Sequence, residues 1–446
     1  MDSRVYFIKL KGPWRVDPFA DPPLGLLSIM ASAKNLSFKG KSLDLKFLDL
    51  INEPDIPKAD IYGISACTLD YSELLNVTKQ IKQKYNSLVI VGGPHFDAIP
   101  ASQWGKEINN LPIDIICRGE GEDTFPKALK YLENGREKEV ISQEPPFLKL
   151  DSLPFPAMEF LNRELYFKPG RAFGKGVFSK GNSTVMMTSR GCPYNCSFCA
   201  SPILHHRKVR YRSVENVKKE LDILKKGYNV TEIRFQDDCF SINPRFKELS
   251  DMLSESNIRY RCSMRTNNVS DEILNMLWNS GCREIGFGIE SAEPAVLEIS
   301  SKATTVEQNM GTLKRSKAKG FKTRVFVMTG LPGETKYSAQ KMIDFLEEAK
   351  PDVVTLNSFM PFPGCDIYNN PEKYGVKIHD TDWDHYNIFL MRKEGFPFPH
   401  TISTATPEEL ERNRELLKEY TFNRKLSNVK EFNTPYHSSI LHENKK

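Results

Sequence analysis

Three cysteines lie close together in the segment TSRGCPYNCSFCAS. Cys192, Cys196 and Cys199 follow the spacing C-x3-C-x2-C, where x is any residue. A cubane cluster of four irons is usually held by four thiolates, so three cysteines leave one iron open to another ligand. The spacing therefore predicts an iron-sulfur cluster whose remaining iron can bind a substrate or a cofactor.

A structural zinc site is the alternative for the same three cysteines. Zinc takes four tetrahedral ligands, so a further cysteine or a histidine would have to complete the site. His205 and His206 are near enough in sequence to supply that ligand. The position of the cysteines relative to the predicted strands, given below, favours the cluster.

The remaining composition is that of a globular protein from a reducing compartment. The other six cysteines are scattered singly, at positions 67, 117, 239, 262, 282 and 365, which argues against a disulfide framework and predicts a cytoplasmic location. The segment MDSRVYFIKLKG lacks the apolar core of a signal peptide, and no membrane span is expected. The 62 Lys and Arg residues exceed the 57 Asp and Glu residues by only five charges along the chain. We therefore expect neither nucleic acid nor a membrane as a partner.

Residues 1–141 alternate short apolar strands with amphipathic helices, a pattern typical of a doubly wound parallel sheet. The predicted strands cover residues 4–10, 45–50, 61–66, 87–93 and 113–119. Ligands of such a sheet bind beyond the carboxyl ends of the strands. The loops at those ends contain the candidate ligand contacts Ser65, Thr68, Gly92, Gly93, Pro94, His95, Gly119, Glu120 and Gly121. Tight turns and a helix cap are the alternative explanation for each loop.

A linker rich in proline and glycine is predicted at 142–182, followed by a second run of strands and helices over 183–375. Its predicted strands cover residues 183–189, 232–238, 259–266, 284–290, 323–330 and 352–359. Six successive βα units predict a partial (β/α)6 barrel, in which active residues lie in the loops after the strands. The three cysteines follow the first of these strands. Residues 376–446 are expected to form a small, mostly helical region with a polar tail.

The motif CPYNCSFC on the first strand of such a barrel resembles the radical SAM superfamily. The resemblance implies a 4Fe-4S cluster whose open iron binds S-adenosylmethionine (SAM), and reductive cleavage of SAM to a 5′-deoxyadenosyl radical. It also implies SAM contacts at the strand ends, namely Phe198, Gln236, Asp237, Asp238, Arg265, Glu290, Ser291, Gly330 and Leu331. Each group of these residues also has an explanation without SAM. Asp237 and its neighbours could form a turn, Arg265 and Glu290 could form a salt bridge with each other, and Gly330 could simply connect a strand to a helix.

The order of the domains narrows this resemblance. A flavodoxin-like domain carrying PPLGLL, GGPH and RGEGE before the barrel resembles that of the cobalamin-binding radical SAM enzymes, over residues 4–370. It implies that the loops named above contact cobalamin, which in those enzymes lies between the first domain and the barrel. The D-x-H-x-x-G motif, whose histidine ligates cobalt in other cobalamin proteins, is absent. We expect His95 to be a loop residue and not a cobalt ligand.

The sequence therefore predicts a cobalamin-dependent radical SAM methyltransferase acting on an unactivated carbon or phosphorus of a small molecule. Its expected partner is an electron donor such as flavodoxin or ferredoxin. An oxidative cyclase or rearrangement enzyme, and a cobalamin sensor without catalysis, are the alternatives. A tRNA methylthiotransferase needs three further cysteines in the first domain, where only Cys67 and Cys117 occur.

Overall fold

The computed structural model describes residues 2–12, 17–136, 138–145, 147–169, 181–386 and 397–426. The chain divides into two compact units, Met1–Tyr166 and Phe167–Lys446. The GRAFGKG part of the predicted linker and the polar tail after residue 426 lie outside the described residues. Throughout the described ranges, every helix is too short or too polar to span a bilayer.

The first unit is a seven-stranded sheet with helices around it. Its strands are β1 (Ser3–Lys9), β2 (Ser37–Phe38), β3 (Lys41–Asp49), β4 (Ile61–Ser65), β5 (Leu88–Gly92), β6 (Ile115–Arg118) and β7 (Glu139–Ser142). Its helices are α1 (Leu24–Ala33), α2 (Tyr71–Tyr85), α3 (Pro94–Ala98), α4 (Ala101–Glu107), α5 (Gly121–Glu133) and α6 (Arg163–Tyr166). The strand order is β2-β3-β1-β4-β5-β6-β7, and every pair is parallel except β2 with β3.

The first unit extends beyond residue 141, the predicted boundary of the first domain. Backbone N–H of Ala157 donates to the carbonyl of Leu27 at 3.1 Å. The buried Tyr166 hydroxyl donates to Asp49 at 2.5 Å, and Lys9 lies 3.0 Å from the same carboxylate. These contacts fasten residues 157–166 to β1, β3 and α1, which explains why the unit ends at Tyr166.

The second unit is built on six parallel strands that form a half-barrel in the order β15-β14-β13-β12-β11-β8. They are β8 (Asn182–Met186), β11 (Val230–Phe235), β12 (Arg259–Met264), β13 (Cys282–Glu290), β14 (Lys322–Thr329) and β15 (Val353–Ser358). Two antiparallel pairs accompany them, β9 (Ser189–Arg190) with β10 (Arg210–Tyr211), and β16 (Val376–Ile378) with β17 (His400–Ile402).

Nine helices of the second unit lie in the described residues. They are α7 (Ser201–Leu204), α8 (Val214–Tyr228), α9 (Phe246–Glu255), α10 (Asp271–Asn279), α11 (Pro294–Ile299), α12 (Val306–Ala318), α13 (Ser338–Ala349), α14 (Asp366–Asn369) and α15 (Pro407–Asn423). Helix α8 shows why they form: Ser213 caps its first turn, and Val217, Leu221 and Leu224 bury one stripe, as their spacing predicts. Asn229, in the left-handed conformation, ends this helix before β11 begins.

Candidate active site

The cysteines lie in the loop that leaves the carboxyl end of the half-barrel after β8. Cys196 is buried, Cys192 and Cys199 are half-buried, and none is in a disulfide. The loop is fastened on both sides of Ser197, whose N–H donates to Ser300 and whose carbonyl accepts from Ile367, each at 3.0 Å. The fold therefore holds the three thiols at the edge where a parallel barrel places its active residues.

Burial raises the pKa of Cys192 to about 11 and that of Cys199 to about 12, and nearby Cys196 and Asp238 add to both shifts. Such thiols stay protonated at neutral pH unless a cation stabilises the thiolate, as a bound metal does. As free thiols they are therefore poor nucleophiles at neutral pH.

A cubane cluster and a single metal ion require different arrangements of three thiols. In the described part of the chain, no three His, Cys, Asp or Glu side chains converge closely enough to hold one ion. Cysteines that hold a cubane cluster bind different irons, so their sulfurs lie farther apart than the ligands of one zinc ion.

Arg265, directly after β12, lies against the cysteine loop. Its Nη1 donates to Cys196 Sγ at 3.0 Å, and its Cζ lies 3.9 Å from the centre of the Tyr194 ring. The side chain is buried, and Nε and Nη2 have no hydrogen-bond partner among the described residues. A buried guanidinium with two unpartnered nitrogens, Nε and Nη2, is suited to an anion such as a carboxylate. The unpartnered nitrogens of Arg265 are therefore placed to bind the carboxylate that the resemblance implies for SAM.

Tyr194 was not singled out by the sequence, although it lies inside the cysteine motif. Its ring packs on Arg265 and its hydroxyl accepts from the Asn268 side chain. Tyr194 thus couples the cysteine loop to the end of β12. The position of Tyr194 between the first two cysteines of the motif could have marked it as part of the site.

The acidic residues after β11 have different surroundings. Asp237 is buried and accepts from the Thr188 and Ser189 hydroxyls, both at 2.6 Å, and from Thr188 N–H at 3.0 Å. These contacts tie the end of β11 to the loop after β8. Asp238 is exposed and accepts from Ser201 at 2.8 Å, while Gln236 is half-buried. Asp237 therefore supports the loop, and Gln236 and Asp238 remain accessible.

Glu290 ends β13 with a positive φ of 62° and forms a buried ion pair with Lys302, with Oε1 and Nζ 2.7 Å apart. The alternative Arg265–Glu290 salt bridge is wrong, because Glu290 pairs with Lys302 and Arg265 contacts Cys196.

Ser291 accepts from the N–H of Glu293 at 3.1 Å. Lys302 was not predicted, since no motif marks a lysine so far along the chain from Glu290.

The turn after β14 is packed against an apolar cluster. Leu331 is fully buried in that cluster, and Phe198 of the cysteine loop packs against it. The Gly330 carbonyl accepts from His400 Nε2 at 2.8 Å, and Glu334 accepts from Leu331 N–H at 3.0 Å. The structure thus brings Phe198, Gly330 and Leu331 into one region.

In the first unit, the loops after β4 and β5 pack directly on each other. Gly93 has φ of 103°, and a Cβ there would lie 2.6 Å from Ser65 Oγ and 2.8 Å from the Ala66 carbonyl. Only glycine fits such a conformation and such a close approach. Gly92 is the last residue of β5, and Pro94 is the first of α3. The tight-turn alternative therefore describes this loop well.

His95 is not a loop residue, as the sequence suggested, but lies in the first turn of α3. It is fully buried, with Nδ1 3.1 Å from Thr68 Oγ1 and its ring centre 4.3 Å from that of Tyr71. Burial lowers its pKa to about 4, so the imidazole is neutral at physiological pH. The proline in GGPH begins a helix because its missing N–H is not needed there.

The loop after β6 is joined to its neighbours by hydrogen bonds. Gly119 N–H donates to Asp97 at 2.5 Å, and Glu120 N–H donates to Gln143 at 2.9 Å. Gly121 begins α5 and lies against Ile29 of α1. All the residues predicted as cobalamin contacts therefore lie at the carboxyl edge of one sheet or in the helix turns that start there.

Comparisons with known proteins agree with this architecture. Residues 18–129 match the B12 binding domain, and residues 186–346 match the Radical SAM superfamily. An uncharacterized methyltransferase of Pyrococcus horikoshii is 31% identical over 377 residues, 79% of each chain. Bacteriochlorophyllide d C-12(1)-methyltransferase of Chlorobaculum tepidum is 22% identical over 376 residues, 82% of this chain and 76% of its own.

A solved structure shows the same fold. It is the radical S-adenosylmethionine methyltransferase TsrM of Kitasatospora setae, with cobalamin and a 4Fe-4S cluster bound. It superposes with a TM-score of 0.62 at 15% identity and covers 86% of this chain and 78% of its own.

The half-barrel with its three-cysteine loop, preceded by a B12-binding domain, defines a radical SAM enzyme. More particularly, the chain belongs to the cobalamin-dependent radical SAM methyltransferase family. Its cofactors are the 4Fe-4S cluster, SAM and cobalamin. The predicted fold class and cofactors are thereby confirmed.

Proposed function

We propose that this enzyme methylates an unactivated carbon or phosphorus centre of a small molecule. When bound, the cluster and cobalamin supply the reductive cleavage of SAM and the carriage of its methyl group. The supporting observation is the buried Arg265 guanidinium beside Cys196, whose nitrogens Nε and Nη2 have no hydrogen-bond partner among the described residues. A protein that only sensed cobalamin would gain nothing from an open iron next to such a cation.

In this proposal, the residues that follow β8, β11, β12, β13 and β14 hold the cluster and SAM. Cys192, Cys196 and Cys199 hold the cluster, and Arg265 binds the SAM carboxylate through its unmet N–H groups. The remaining SAM contacts are assigned by charge and position: Gln236 and Asp238 to the amino group, Glu290 and Ser291 to the ribose, and Phe198, Gly330 and Leu331 to the adenine. Asp237 acts indirectly, because its oxygens already hold Thr188 and Ser189.

Cobalamin is assigned to the carboxyl edge of the first unit. The loops that contain Ser65, Thr68, Gly92, Gly93 and Pro94, and the segment Gly119–Gly121, meet along that edge. His95 supports these loops from within, because its ring is enclosed by Thr68 and Tyr71. The enclosed position of His95 agrees with the missing D-x-H-x-x-G motif.

A small-molecule substrate is supported by a neighbour and not by any residue of this chain. TsrM has also been solved with tryptophan as substrate and a SAM analogue. The relatives differ widely in what they methylate, so we assign only the class of substrate. A reduced one-electron carrier such as flavodoxin or ferredoxin is part of the proposal, since SAM cleavage consumes an electron.

Transfer of labelled methyl groups tests the proposal. The reconstituted enzyme would be given methyl-labelled SAM, dithionite and the small-molecule fraction of a cell extract, with and without cobalamin. We expect label in an extract compound, together with S-adenosylhomocysteine, only when cobalamin is present. Formation of 5′-deoxyadenosine without any labelled product would contradict methyl transfer and favour the cyclase or rearrangement activity.

A further inference from the structure

Residues 398–413 pack on the turn that follows β14. They include β17 and the first part of α15. The turn contains Gly330 and Leu331, which the proposed function assigns to the adenine of SAM. No motif in the sequence indicates a role for residues 398–413. Their contacts with the turn connect them to the part of the half-barrel that is assigned to the adenine.

His400 binds the first residue of this turn. Its Nε2 lies 2.8 Å from the Gly330 carbonyl oxygen, and its side chain is 2% exposed. Burial lowers the pKa of His400 to about 4, so the imidazole is neutral at physiological pH. A carbonyl oxygen can only accept, so Nε2 carries the single ring proton and Nδ1 carries a lone pair. The one hydrogen bond that this imidazole can donate is therefore made to the turn.

Apolar packing alone does not explain a histidine at position 400. The imidazole contacts the rings of Phe359 and Phe398, with ring centres 5.1 and 5.6 Å away. Nδ1 is buried and has no hydrogen-bond partner among the described residues, which costs free energy. An apolar side chain would avoid that cost. The hydrogen bond to Gly330 is therefore what histidine adds at this position.

Phe398 lies directly against Gly330. Gly330 has φ of 85°, and an added Cβ would lie 2.4 Å from Cε1 of Phe398. Such a backbone conformation and such a close approach both favour glycine. Phe398 belongs to the apolar cluster that contains Leu331, and Phe198 of the cysteine loop packs against the same cluster. Residues 398–413 therefore contact the region in which Phe198, Gly330 and Leu331 come together.

Asn413 of α15 binds the other end of the turn. Its buried side chain donates from Nδ2 to the Thr335 carbonyl at 2.8 Å, and its Oδ1 accepts from Ala339 N–H at 3.4 Å. Ala339 lies in the first turn of α13. The turn is thus held at its start by His400 and at its end by Asn413. We call Phe398, His400 and Asn413 the C-terminal clamp.

We propose that the C-terminal clamp positions the turn after β14 for the adenine of SAM, with His400 as the main positioning residue. The inference rests on the proposed function, which assigns Gly330 and Leu331 to the adenine. Glycine allows a free turn many conformations, so a turn that is already fixed loses less entropy when it binds a ligand. His400 and Asn413 act through the turn, since their hydrogen bonds are made to backbone atoms.

Replacement of His400 in the reconstituted full chain tests the clamp. His400→Leu removes the hydrogen bond and keeps an apolar side chain in the cluster. His400→Gln is the conservative variant, because its amide nitrogen can donate to the Gly330 carbonyl. The matched control is His379→Leu, since His379 is exposed and directly follows β16, the partner strand of β17. Asn413→Ala tests the other end of the turn, and Asn423→Ala, at an exposed position of α15, is its control.

The dissociation constants of SAM and of 5′-deoxyadenosine are measured, together with the iron content. 5′-Deoxyadenosine carries the adenine of SAM but not its methionyl group. We expect His400→Leu and Asn413→Ala to raise both dissociation constants at least about fivefold, with unchanged iron content. His400→Gln should restore most of the affinity, and both controls should match the wild type. Arg265→Leu should weaken only the binding of SAM, because 5′-deoxyadenosine has no carboxylate.

Unchanged dissociation constants in His400→Leu and Asn413→Ala would overturn the inference. So would a loss of affinity for SAM but not for 5′-deoxyadenosine, since the adenine would then not be involved. Loss of iron together with affinity would overturn it as well, because the clamp would then support the whole half-barrel. Should His400→Leu fail to fold, Asn413→Ala decides the outcome, since it leaves the apolar cluster unchanged.

Failure of the proposed function gives a different result. Wild-type protein that binds and cleaves SAM without transferring its methyl group would contradict methyl transfer and leave the two dissociation constants as predicted. Wild-type protein that does not bind SAM would overturn the assignment of the adenine to Gly330 and Leu331, and the role of the clamp with it.

Discussion

Arg265 brings a positive charge into the interior of the half-barrel, where only a bound anion or a thiolate can balance it. The contact with Cys196 uses Nη1, and the nitrogens Nε and Nη2 have no hydrogen-bond partner among the described residues. Isolated buried charges are costly, so this arrangement indicates that the charge serves a ligand. Lys302 and Glu290, by contrast, already balance each other.

Replacing Arg265 by Leu should weaken SAM binding about tenfold or more, because hydrogen bonds to charged groups contribute about 1.5–3 kcal/mol. Equilibrium binding of SAM to the reconstituted protein measures this. The matched control is Arg283→Leu, since Arg283 packs on Trp278 near the amino end of β13. Equal SAM affinity in the wild type and the Arg265 variant would contradict the assigned role.

Glu334 makes stability depend on pH. Burial raises its pKa to about 8, although the N–H groups of Leu331 and Gly330 oppose the shift. The folded carboxyl therefore keeps its proton where the unfolded one has lost it. Its contribution to stability is complete below the ordinary glutamate pKa and is lost as the pH rises through about 8.

The Glu334→Gln variant should therefore lose less thermal stability than the wild type between about pH 6 and about pH 9. Melting temperatures across this range measure the difference. If the melting temperatures of the two proteins changed with pH in the same way, Glu334 would be ionised in the folded state.

Individual residues could be predicted where chemistry fixes the spacing. The placement of Cys192, Cys196 and Cys199 in one loop after the first strand of the half-barrel could be predicted from their positions in the sequence. The Glu290–Lys302 pair and the burial of His95 could not be predicted, because they depend on which strands and helices become neighbours.

At the scale of elements, the cysteine loop depends on a close contact between Gly191 and the backbone of Lys208. Gly191 has φ of 100°, and an added Cβ would meet the Lys208 carbonyl at 2.1 Å. Gly191→Ala should displace the loop and lower the iron retained after reconstitution. The control is Gly227→Ala in α8, where nothing lies within 4 Å, and where alanine should add up to about 1 kcal/mol of helix stability. Full iron content in the Gly191 variant would contradict the packing argument.

In the first unit, Gly93 plays the equivalent part between β5 and α3. Gly93→Ala should weaken cobalamin binding, because the loops after β4 and β5 would have to separate. Titration of hydroxocobalamin followed by absorbance measures the affinity, and Gly105→Ala in α4, which has open space around it, is the control. If both variants bound hydroxocobalamin with the same affinity, the loops after β4 and β5 would not be part of the cobalamin site.

Most elements of both sheets were predictable because their strands are apolar runs bounded by turn residues. The strands that were predicted wrongly or not at all are short. Residues 183–189 do not form one strand, since β8 ends at Met186 and Ser189 pairs instead with Tyr211. Strands β2 and β7 were missed because two or four residues of mixed polarity carry no periodic signal.

At the scale of the whole molecule, the order of the two domains identified the class of enzyme from sequence. The total charge identified no partner, because the 62 Lys and Arg residues and the 57 Asp and Glu residues nearly cancel over the whole chain. The substrate has no comparable signature, since it is recognised by side chains that vary within a shared fold.

The central claim is that the three cysteines hold a cluster that cleaves SAM. The most direct test measures 5′-deoxyadenosine and iron in anaerobically reconstituted wild-type protein and in Cys196→Ala, with SAM and dithionite. We predict about four irons per chain and 5′-deoxyadenosine formation in the wild type, and no 5′-deoxyadenosine from the variant. Undiminished SAM cleavage by Cys196→Ala would contradict the account.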